Sequence, residues 1–139
     1  MRKGRGSHAG PSGKPLDLES LRRSLDRSGV DAAYLFGSVA ETAPHLLSDV
    51  DLAYLGTDAE TEDRVFDEIY EALQSILGEG GFDLVPLRRA PLHIQFMIAT
   101  GGTLLFARDP IAAEAFGARA IARYIDFKPR RDEYFSTEV

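Results

Sequence analysis

Two short motifs near the middle of the chain contain residues whose types and spacing suit phosphate chemistry. Gly37-Ser38 is followed, after ten residues, by Asp49-Val50-Asp51. In an extended strand, residues two apart point to the same face, so the carboxylates of Asp49 and Asp51 would lie side by side, about 6 to 7 Å apart along the backbone. Mg²⁺ prefers oxygen ligands and commonly takes one or two carboxylates together with substrate phosphates. We therefore predict that Asp49 and Asp51 bind Mg²⁺.

Gly37-Ser38 has the features of a phosphate-binding turn. Glycine lets the backbone approach a phosphate closely, and a helical turn following it would direct unpaired amides toward the anion. The Ser38 hydroxyl adds a further hydrogen-bond donor. This pair is predicted to bind the β- and γ-phosphates of a nucleoside triphosphate while metal ions contact its α-phosphate.

Asp83 is a third candidate carboxylate, near the start of the next predicted strand and 32 residues after Asp51. If the two strands pair, Asp83 joins Asp49 and Asp51, and a second metal ion fits about 3.5 to 4 Å from the first. Three such carboxylates repel one another without cations, so metal is expected. An acceptor hydroxyl activated by metal and by Asp83 would attack the α-phosphorus and expel pyrophosphate. Taken singly, Asp-x-Asp is also common in solvated turns, and Asp83 is also compatible with an acid at a strand edge.

Hydrophobic patterning predicts the elements that hold these residues in place. Asp17 is an N-cap for a helix that ends near Ser28, where Gly29 suits a left-handed C-terminus. Short apolar runs flank the segment from Gly37 to Asp49 and predict two strands. A longer helix with several candidate N-caps follows and stops at Gly78. Pro86 indicates an edge strand or a strand end. The predicted strands in this half are Ala32 to Phe36, Val50 to Leu55 and Phe82 to Leu87.

The second half of the chain adds two helices and one strand to this pattern. The run from Pro91 to Ala99 is apolar nearly throughout, and we interpret it as a helix that Gly101-Gly102 ends. Thr103 to Ala107 predicts a fourth strand, and Asp109-Pro110 begins a last helix. That helix carries Ile111, Ala115, Ala118, Ile121, Ala122 and Ile125. The element order predicts an α/β or α+β fold with a small sheet of about four strands flanked by helices.

Length and composition fit one domain. The 139 residues are 44% hydrophobic, and we expect a flexible tail at residues 1–15 and a single domain at 16–139. The absence of cysteine leaves oxygen or imidazole as metal ligands. No apolar run is long enough for a membrane span and no signal sequence is evident, so a soluble, cytoplasmic protein is expected.

The distribution of charge bears on the kind of partner. Arg2, Lys3, Arg5 and Lys14 are four of the 16 basic residues, so the rest of the chain has 12 basic and 22 acidic residues, a net charge of −10. Such a surface argues against broad binding to a nucleic-acid backbone and favours a basic partner. The residues Glu60, Glu62, Asp63, Asp67, Glu68 and Glu71 are interpreted as a solvated acidic face that could also meet such a partner.

These motifs resemble a known family. Gly-Ser, ten residues, Asp-x-Asp and a later strand with a third Asp resemble the nucleotidyltransferase superfamily that includes polymerase β. The small size, Ser48 before Asp49, the Phe82 to Val85 strand and the Gly102 to Phe106 segment are similar to minimal nucleotidyltransferases, above all antitoxins of the HepT/MntA type. The resemblance covers about Leu18 to Asp132.

The resemblance implies a small mixed sheet and a specific activity. Such antitoxins, of type VII toxin–antitoxin pairs, transfer AMP from ATP to a tyrosine of a HEPN-domain ribonuclease toxin. It implies catalytic roles for Asp49, Asp51 and Asp83, which are also the predicted ligands of two Mg²⁺ ions, and phosphate binding by Gly37 and Ser38. It implies a HEPN toxin and ATP as partners, with no direct contact to nucleic acid or membrane.

One position departs from the family pattern. Members often carry Arg and Gly in the loop after Gly-Ser-x-Ala, whereas this chain has Glu41-Thr42. A glutamate there would repel nucleotide phosphates, so weaker or differently arranged ATP binding is expected, and Arg88, Arg89 or Arg108 could compensate only by reaching the cleft.

Other interpretations of the chain stay open at this stage. An antitoxin that works only by binding its toxin is one alternative, and a nucleotidyltransferase for a small hydroxylated molecule is another. His45 is interpreted as solvent-exposed and His93 as a hydrogen-bonded packing residue. The aromatic residues near Tyr124 and Phe127 are interpreted as core or docking surface.

Overall fold

The computed structural model describes residues 17–36, 50–78 and 82–138, with side chains described up to residue 127. Within these ranges the chain forms four α-helices and four strands. In chain order they are α1 (Leu18–Ser28), β1 (Ala32–Phe36), β2 (Val50–Leu55), α2 (Ala59–Leu77), β3 (Phe82–Pro86), a 3₁₀ turn (Leu87–Arg89), α3 (Leu92–Gly101), β4 (Thr103–Ala107) and α4 (Pro110–Glu138). No helix of the described ranges is long and apolar enough to cross a membrane.

The four strands form one mixed sheet in the order β3-β2-β1-β4. β1 is antiparallel to β2 and β4, whereas β2 and β3 are parallel. Parallel neighbours need a long crossover connection, and α2 supplies it. β3 is the first strand in this order, so among the described strands it lies at an edge of the sheet. Pro86 is its last residue. The mixed four-stranded sheet flanked by helices confirms the predicted fold class.

The predicted helix boundaries follow from local hydrogen bonds. The side chain of Asp17 accepts a hydrogen bond from the backbone N–H of Ser20 at 3.1 Å and caps α1, which ends at Gly29 with φ of 82°. The Asp109 carboxylate accepts from the N–H of Ala112 at 3.1 Å and caps α4. These bonds satisfy amides that a helix N-terminus leaves without partners.

The two faces of the sheet carry separate hydrophobic cores. On one face α1 and α2 cover the even-numbered residues of β2, Leu52 and Tyr54 among them. On the other face α3 and α4 cover Ala53 and Leu55. Because side chains alternate along a strand, Asp51 lies on the face that α3 and α4 cover. The topology therefore assigns Asp51 to one side of the sheet.

The apolar run at Pro91 to Ala99 is helical, as expected, although α3 continues through Gly101. Gly102 then begins the exit toward β4. A Cβ atom on Gly102 would lie 2.8 Å from the Ile98 carbonyl oxygen, so only glycine fits this close approach. β3 is one residue shorter than predicted because Leu87 enters the 3₁₀ turn.

The described buried face of α4 comprises Ala113, Phe116 and Ala120, whereas Ile111 and Ile125 are exposed. The helix thus packs two alanines and a phenylalanine against α3 and the sheet. The sequence interpretation of His93 as a packing residue was wrong. His93 is exposed rather than packed, because it lies on the outer side of α3.

Glu62 corrects the interpretation of the acidic face, because its side chain is fully buried. One carboxylate oxygen accepts a hydrogen bond from the N–H of Gly56, and the other accepts from the N–H of Arg88, both at 2.9 Å. A Cβ atom on Gly56 would lie 2.8 Å from the Glu62 Cγ atom. The carboxylate thus joins the end of β2 to the 3₁₀ turn after β3. Its spacing of three residues from buried Val65 is the sequence signal of its inward position.

We expect Glu62→Ala to lower the free energy of unfolding by about 2 to 4 kcal/mol, because each orphaned buried N–H costs about 1 to 3 kcal/mol. Urea denaturation monitored by circular dichroism measures the change. Glu68→Ala is the matched control, since Glu68 is exposed on the same helix, and should alter stability by less than about 0.5 kcal/mol. Equal effects of the two substitutions would contradict the buried role of Glu62.

Glu62 should also make stability depend on pH. Burial raises the pKa of its carboxyl above the ordinary value of 4.5, although hydrogen bonds from Gly56 and Arg88 oppose the shift. Because the folded-state pKa is raised, the contribution of Glu62 to folding stability is complete below pH 4.5. It is lost as pH rises through the raised pKa. The stability advantage of the wild type over Glu62→Gln should therefore shrink as pH rises above 4.5. Denaturation at a series of pH values above 4.5 measures the change, with Glu68→Gln at an exposed position of the same helix as the control.

Candidate active site

Asp51 and Asp83 are brought side by side by the parallel pairing of β2 with β3. The two residues are register partners, so their side chains emerge from the same face of the sheet. Adjacent strands lie roughly 4.8 Å apart, which brings two carboxylates within reach of one cation. The sequence prediction that Asp83 meets Asp51 if the strands pair is thus fulfilled at the level of strand register.

A cleft of about 440 Å³ opens beside these two carboxylates. Its walls are mainly apolar and come from the ends of β1 and β3, the 3₁₀ turn and the start of α3. The lining residues are Phe36, Asp51, Asp83, Leu84, Val85, Pro86, Arg89, Ala90, Pro91 and Ile94. An apolar cavity with a few charged groups at one side is the usual form of a small-molecule site, so this cleft is the candidate active site.

The donor set suits a hard divalent cation. Asp51 and Asp83 offer carboxylate oxygens, the ligands that Mg²⁺ prefers, and substrate phosphates or water commonly complete its coordination. No group of three or more His, Cys, Asp or Glu side chains capable of holding a metal occurs within the described residues. The two carboxylates therefore fit a metal ion that shares its coordination with a substrate.

Three predicted site residues lie outside the described residues. They are Gly37, Ser38 and Asp49. Glu41 and His45 also lie outside the described residues. Phe36 directly precedes Gly37, and Val50 directly follows Asp49. Phe36 is the register partner of Asp51 across the β1–β2 pair, and Val50 is the neighbour of Asp51 in the chain. The described residues next to Gly37 and Asp49 thus lie beside Asp51.

The wall of the cleft beyond β3 is fixed from two sides. Glu62 accepts the N–H of Arg88, and the amide nitrogen of Gln95 donates to the carbonyl of Leu87 at 2.8 Å. Leu87 and Gln95 are both buried. The 3₁₀ turn therefore holds Arg89 and Ala90 at the cleft through bonds to α2 and α3.

The three arginines considered in the sequence occupy different places. Arg88 Nε donates to the Gly56 carbonyl at 2.8 Å, and Arg88 is thereby bound at the end of β2. Arg108 contacts Asp26 at the end of α1. Arg89 alone of the three lines the cleft. Sequence reasoning could not separate them, because the 3₁₀ turn decides which way Arg88 and Arg89 face.

Comparison with known proteins places this fold in a family. A family model for polymerase beta nucleotidyltransferases matches residues 19–111, which is more than half of the chain. The chain belongs to this nucleotidyltransferase family. The match includes both Asp51 and Asp83, and it confirms the resemblance seen in the motifs. A search of curated proteins found no match.

Solved structures with the same fold come from toxin–antitoxin complexes. A chain of a toxin–antitoxin structure with AMP-PNP is 24% identical with a TM-score of 0.68, and the match covers 88% of this nucleotidyltransferase and 98% of that chain. A chain from the toxin–antitoxin MntA-HepT is 19% identical with a TM-score of 0.63, over 86% and 97% of the two chains. A third comes from a tri-AMPylated Shewanella oneidensis HEPN toxin in complex with MNT antitoxin, at 20% identity and a TM-score of 0.59, over 87% and 98%.

Mg²⁺ should stabilise this nucleotidyltransferase through Asp83. In buffer that contains a chelator, the free energy of unfolding of Asp83→Asn should equal that of the wild type or exceed it by about 0.2 to 1 kcal/mol. The reason is that the substitution removes one of two adjacent like charges. Excess Mg²⁺ should raise the melting temperature of the wild type more than that of Asp83→Asn, since an ion that binds the folded state stabilises it. Differential scanning fluorimetry measures both shifts.

Asp67→Asn is the control for the Mg²⁺ experiment, because Asp67 is exposed on α2 and does not line the cleft. It should respond to Mg²⁺ like the wild type. An Asp83→Asn protein with the full wild-type response would show that the ion binds elsewhere.

Proposed function

We propose that this chain is the antitoxin of a type VII toxin–antitoxin pair, and that it transfers AMP from ATP to a tyrosine hydroxyl of a HEPN-domain ribonuclease toxin. The reaction uses Mg²⁺. In this proposal Asp51 and Asp83, with Asp49, are catalytic and metal-binding residues, while Gly37 and Ser38 bind the phosphates that leave. The toxin and ATP are the partners.

The register of Asp51 with Asp83 at the mouth of the cleft is the observation that carries this proposal. Family membership supports nucleotidyl transfer as the reaction class. The likeness to toxin–antitoxin chains supports the choice of acceptor, since one of those structures contains AMP-PNP and another a tri-AMPylated HEPN toxin.

The proposed reaction is an in-line displacement at phosphorus. The tyrosine oxygen of the acceptor forms a bond to the α-phosphorus of ATP, and the bond from that phosphorus to the bridging oxygen of pyrophosphate breaks. Asp83, at the cleft and exposed, accepts the hydroxyl proton. Bound Mg²⁺ would supply charge neutralisation of the phosphates. Asp51 would orient the metal from the neighbouring strand.

The cleft walls have a separate task in this scheme. Phe36, Val85, Pro86 and Ile94 form an apolar surface next to the carboxylates. Such a surface excludes water from the reacting phosphorus, which favours attack by the acceptor over hydrolysis. It also suits contact with the flat ring of a nucleobase.

Transfer of AMP should require both described carboxylates. With α-³²P-labelled ATP, Mg²⁺ and the cognate toxin, we expect Asp51→Asn and Asp83→Asn each to reduce labelling of the toxin by at least about 100-fold, because each removes charge stabilisation that acts in the transition state. Mass spectrometry of toxin peptides identifies the modified tyrosine. Circular dichroism verifies that the variants are folded.

The controls separate transfer from binding. Asp67→Asn should label the toxin at the wild-type rate, because Asp67 lies away from the cleft. Toxin neutralisation in growing cells should follow labelling across the series. If the wild type neutralises the toxin without labelling it, or if both cleft variants neutralise fully, the antitoxin acts by binding alone and the enzymatic proposal is wrong.

A further inference from the structure

We propose that Arg89 binds the phosphates of the nucleotide substrate, and that Asp63 holds its guanidinium at the cleft edge until the nucleotide arrives. The identity of the nucleotide rests on the proposed function. The role of Arg89 rests on its own geometry, and the Asp63 contact gives it a test that is independent of AMP transfer.

Arg89 lies at the border between the cleft and α2. It lines the cleft together with Asp51 and Asp83. Its Nη2 atom lies 2.9 Å from one carboxylate oxygen of Asp63, and its Nε atom lies 3.1 Å from the same oxygen. Asp63 thus binds one edge of the guanidinium. The planar fork of arginine donors matches phosphate as well as carboxylate, so a nucleotide phosphate can take the place of Asp63.

The charge of the cleft requires such a residue. Asp51 and Asp83 are the acids that line it, and Arg89 is the single base that lines it within the described ranges. A nucleoside triphosphate brings further negative charge to two carboxylates. A divalent ion offsets part of this repulsion, and a guanidinium that makes paired hydrogen bonds to phosphate oxygens offsets more.

The neighbouring arginines have other contacts. Arg88 Nε donates to the carbonyl of Gly56 and lies 3.9 Å from a carboxylate oxygen of Glu62. Arg108 pairs with Asp26, which lies on α1. Neither lines the cleft. Of the three arginines that could compensate for Glu41, Arg89 is therefore the one that reaches the cleft.

The pair with Asp63 is weak enough to exchange. Side chains of Arg89 and Asp63 are 57% and 52% exposed, and exposed ion pairs contribute about 0.2 to 1 kcal/mol. A phosphate group carries more charge than a carboxylate and accepts the same paired hydrogen bonds. Nucleotide binding would therefore draw Arg89 from Asp63, while hydrogen bonds to the 3₁₀ turn keep its backbone in place.

The two partners should act on nucleotide affinity in opposite directions. Isothermal titration of AMP-PNP with Mg²⁺ into the 139-residue chain should give a dissociation constant about tenfold higher for Arg89→Ala, the effect of losing charge-assisted hydrogen bonds at an exposed site. Asp63→Asn should lower the dissociation constant about two- to fivefold, because Arg89 no longer has to leave a carboxylate. In the double variant, the gain from Asp63→Asn should largely vanish.

Arg108→Ala is the matched control, since Arg108 belongs to a similarly exposed pair with Asp26 and should leave AMP-PNP affinity unchanged. Titration with adenosine separates phosphate from base contacts. Arg89→Ala should leave adenosine binding unchanged, and a tenfold loss there would assign Arg89 to the base and overturn the proposal.

Each further outcome decides between the two proposals. If Arg89→Ala binds AMP-PNP as tightly as Arg108→Ala, the role of Arg89 is wrong, whatever the transfer assay gives. If Arg89 and Asp63 behave as expected but the wild type modifies no toxin, the nucleotide site stands and the proposed acceptor is wrong. A wild-type chain that binds no AMP-PNP with Mg²⁺ contradicts both.

Discussion

The parallel pairing of β2 with β3 is the constraint on which the candidate site depends. It sets Asp51 directly beside Asp83, and a slip of one residue along either strand would move one carboxylate to the opposite face of the sheet. The pairing in turn needs a long crossover, which α2 provides by burying Val65, Ile69 and Leu73 against the sheet. Packing of a helix on one face thus determines the arrangement of acids on the other.

The turn after β3 converts this sheet edge into a cleft. Pro86 ends the strand, and the chain then folds into a 3₁₀ turn rather than continuing past the sheet. Glu62 binds the turn from α2, and Gln95 binds it from α3. A buried carboxylate that does not itself line the cleft therefore shapes the wall that a nucleotide would contact. The site depends on both helical layers, although its acids come from strands alone.

Much of the fold follows from local patterns. Caps such as Asp17 and Asp109 and the left-handed Gly29 mark helix ends through hydrogen bonds within a few residues, which sequence reasoning captures well. The strands Ala32 to Phe36 and Val50 to Leu55 were predicted from a local pattern as well, because each is a short apolar run. The pairing of β2 with β3 was stated only as a condition, because it brings together residues 32 positions apart and depends on the packing of α2.

The errors concern side chains whose surroundings come from distant segments. Glu62 belongs to an acidic stretch, yet the N–H groups that surround it belong to Gly56 and Arg88. The exposed His93 was misjudged because the sequence does not reveal which side of α3 faces the sheet. The different directions of Arg88 and Arg89 likewise depend on a single turn. The roles of Gly37, Ser38 and Asp49 stay predictions, since they lie outside the described residues.

The contact between Gly56 and Glu62 has a consequence for how such chains can diverge. A methyl group at position 56 would meet the Glu62 Cγ atom at 2.8 Å and the backbone of Asp58 at 3.3 Å, so the glycine leaves the room that the buried carboxylate fills. Glu62 in turn binds the N–H of Gly56. The two positions are therefore expected to be inherited as a pair. A relative that has replaced one of them should have replaced both, and it would need another way to join the end of β2 to the turn after β3.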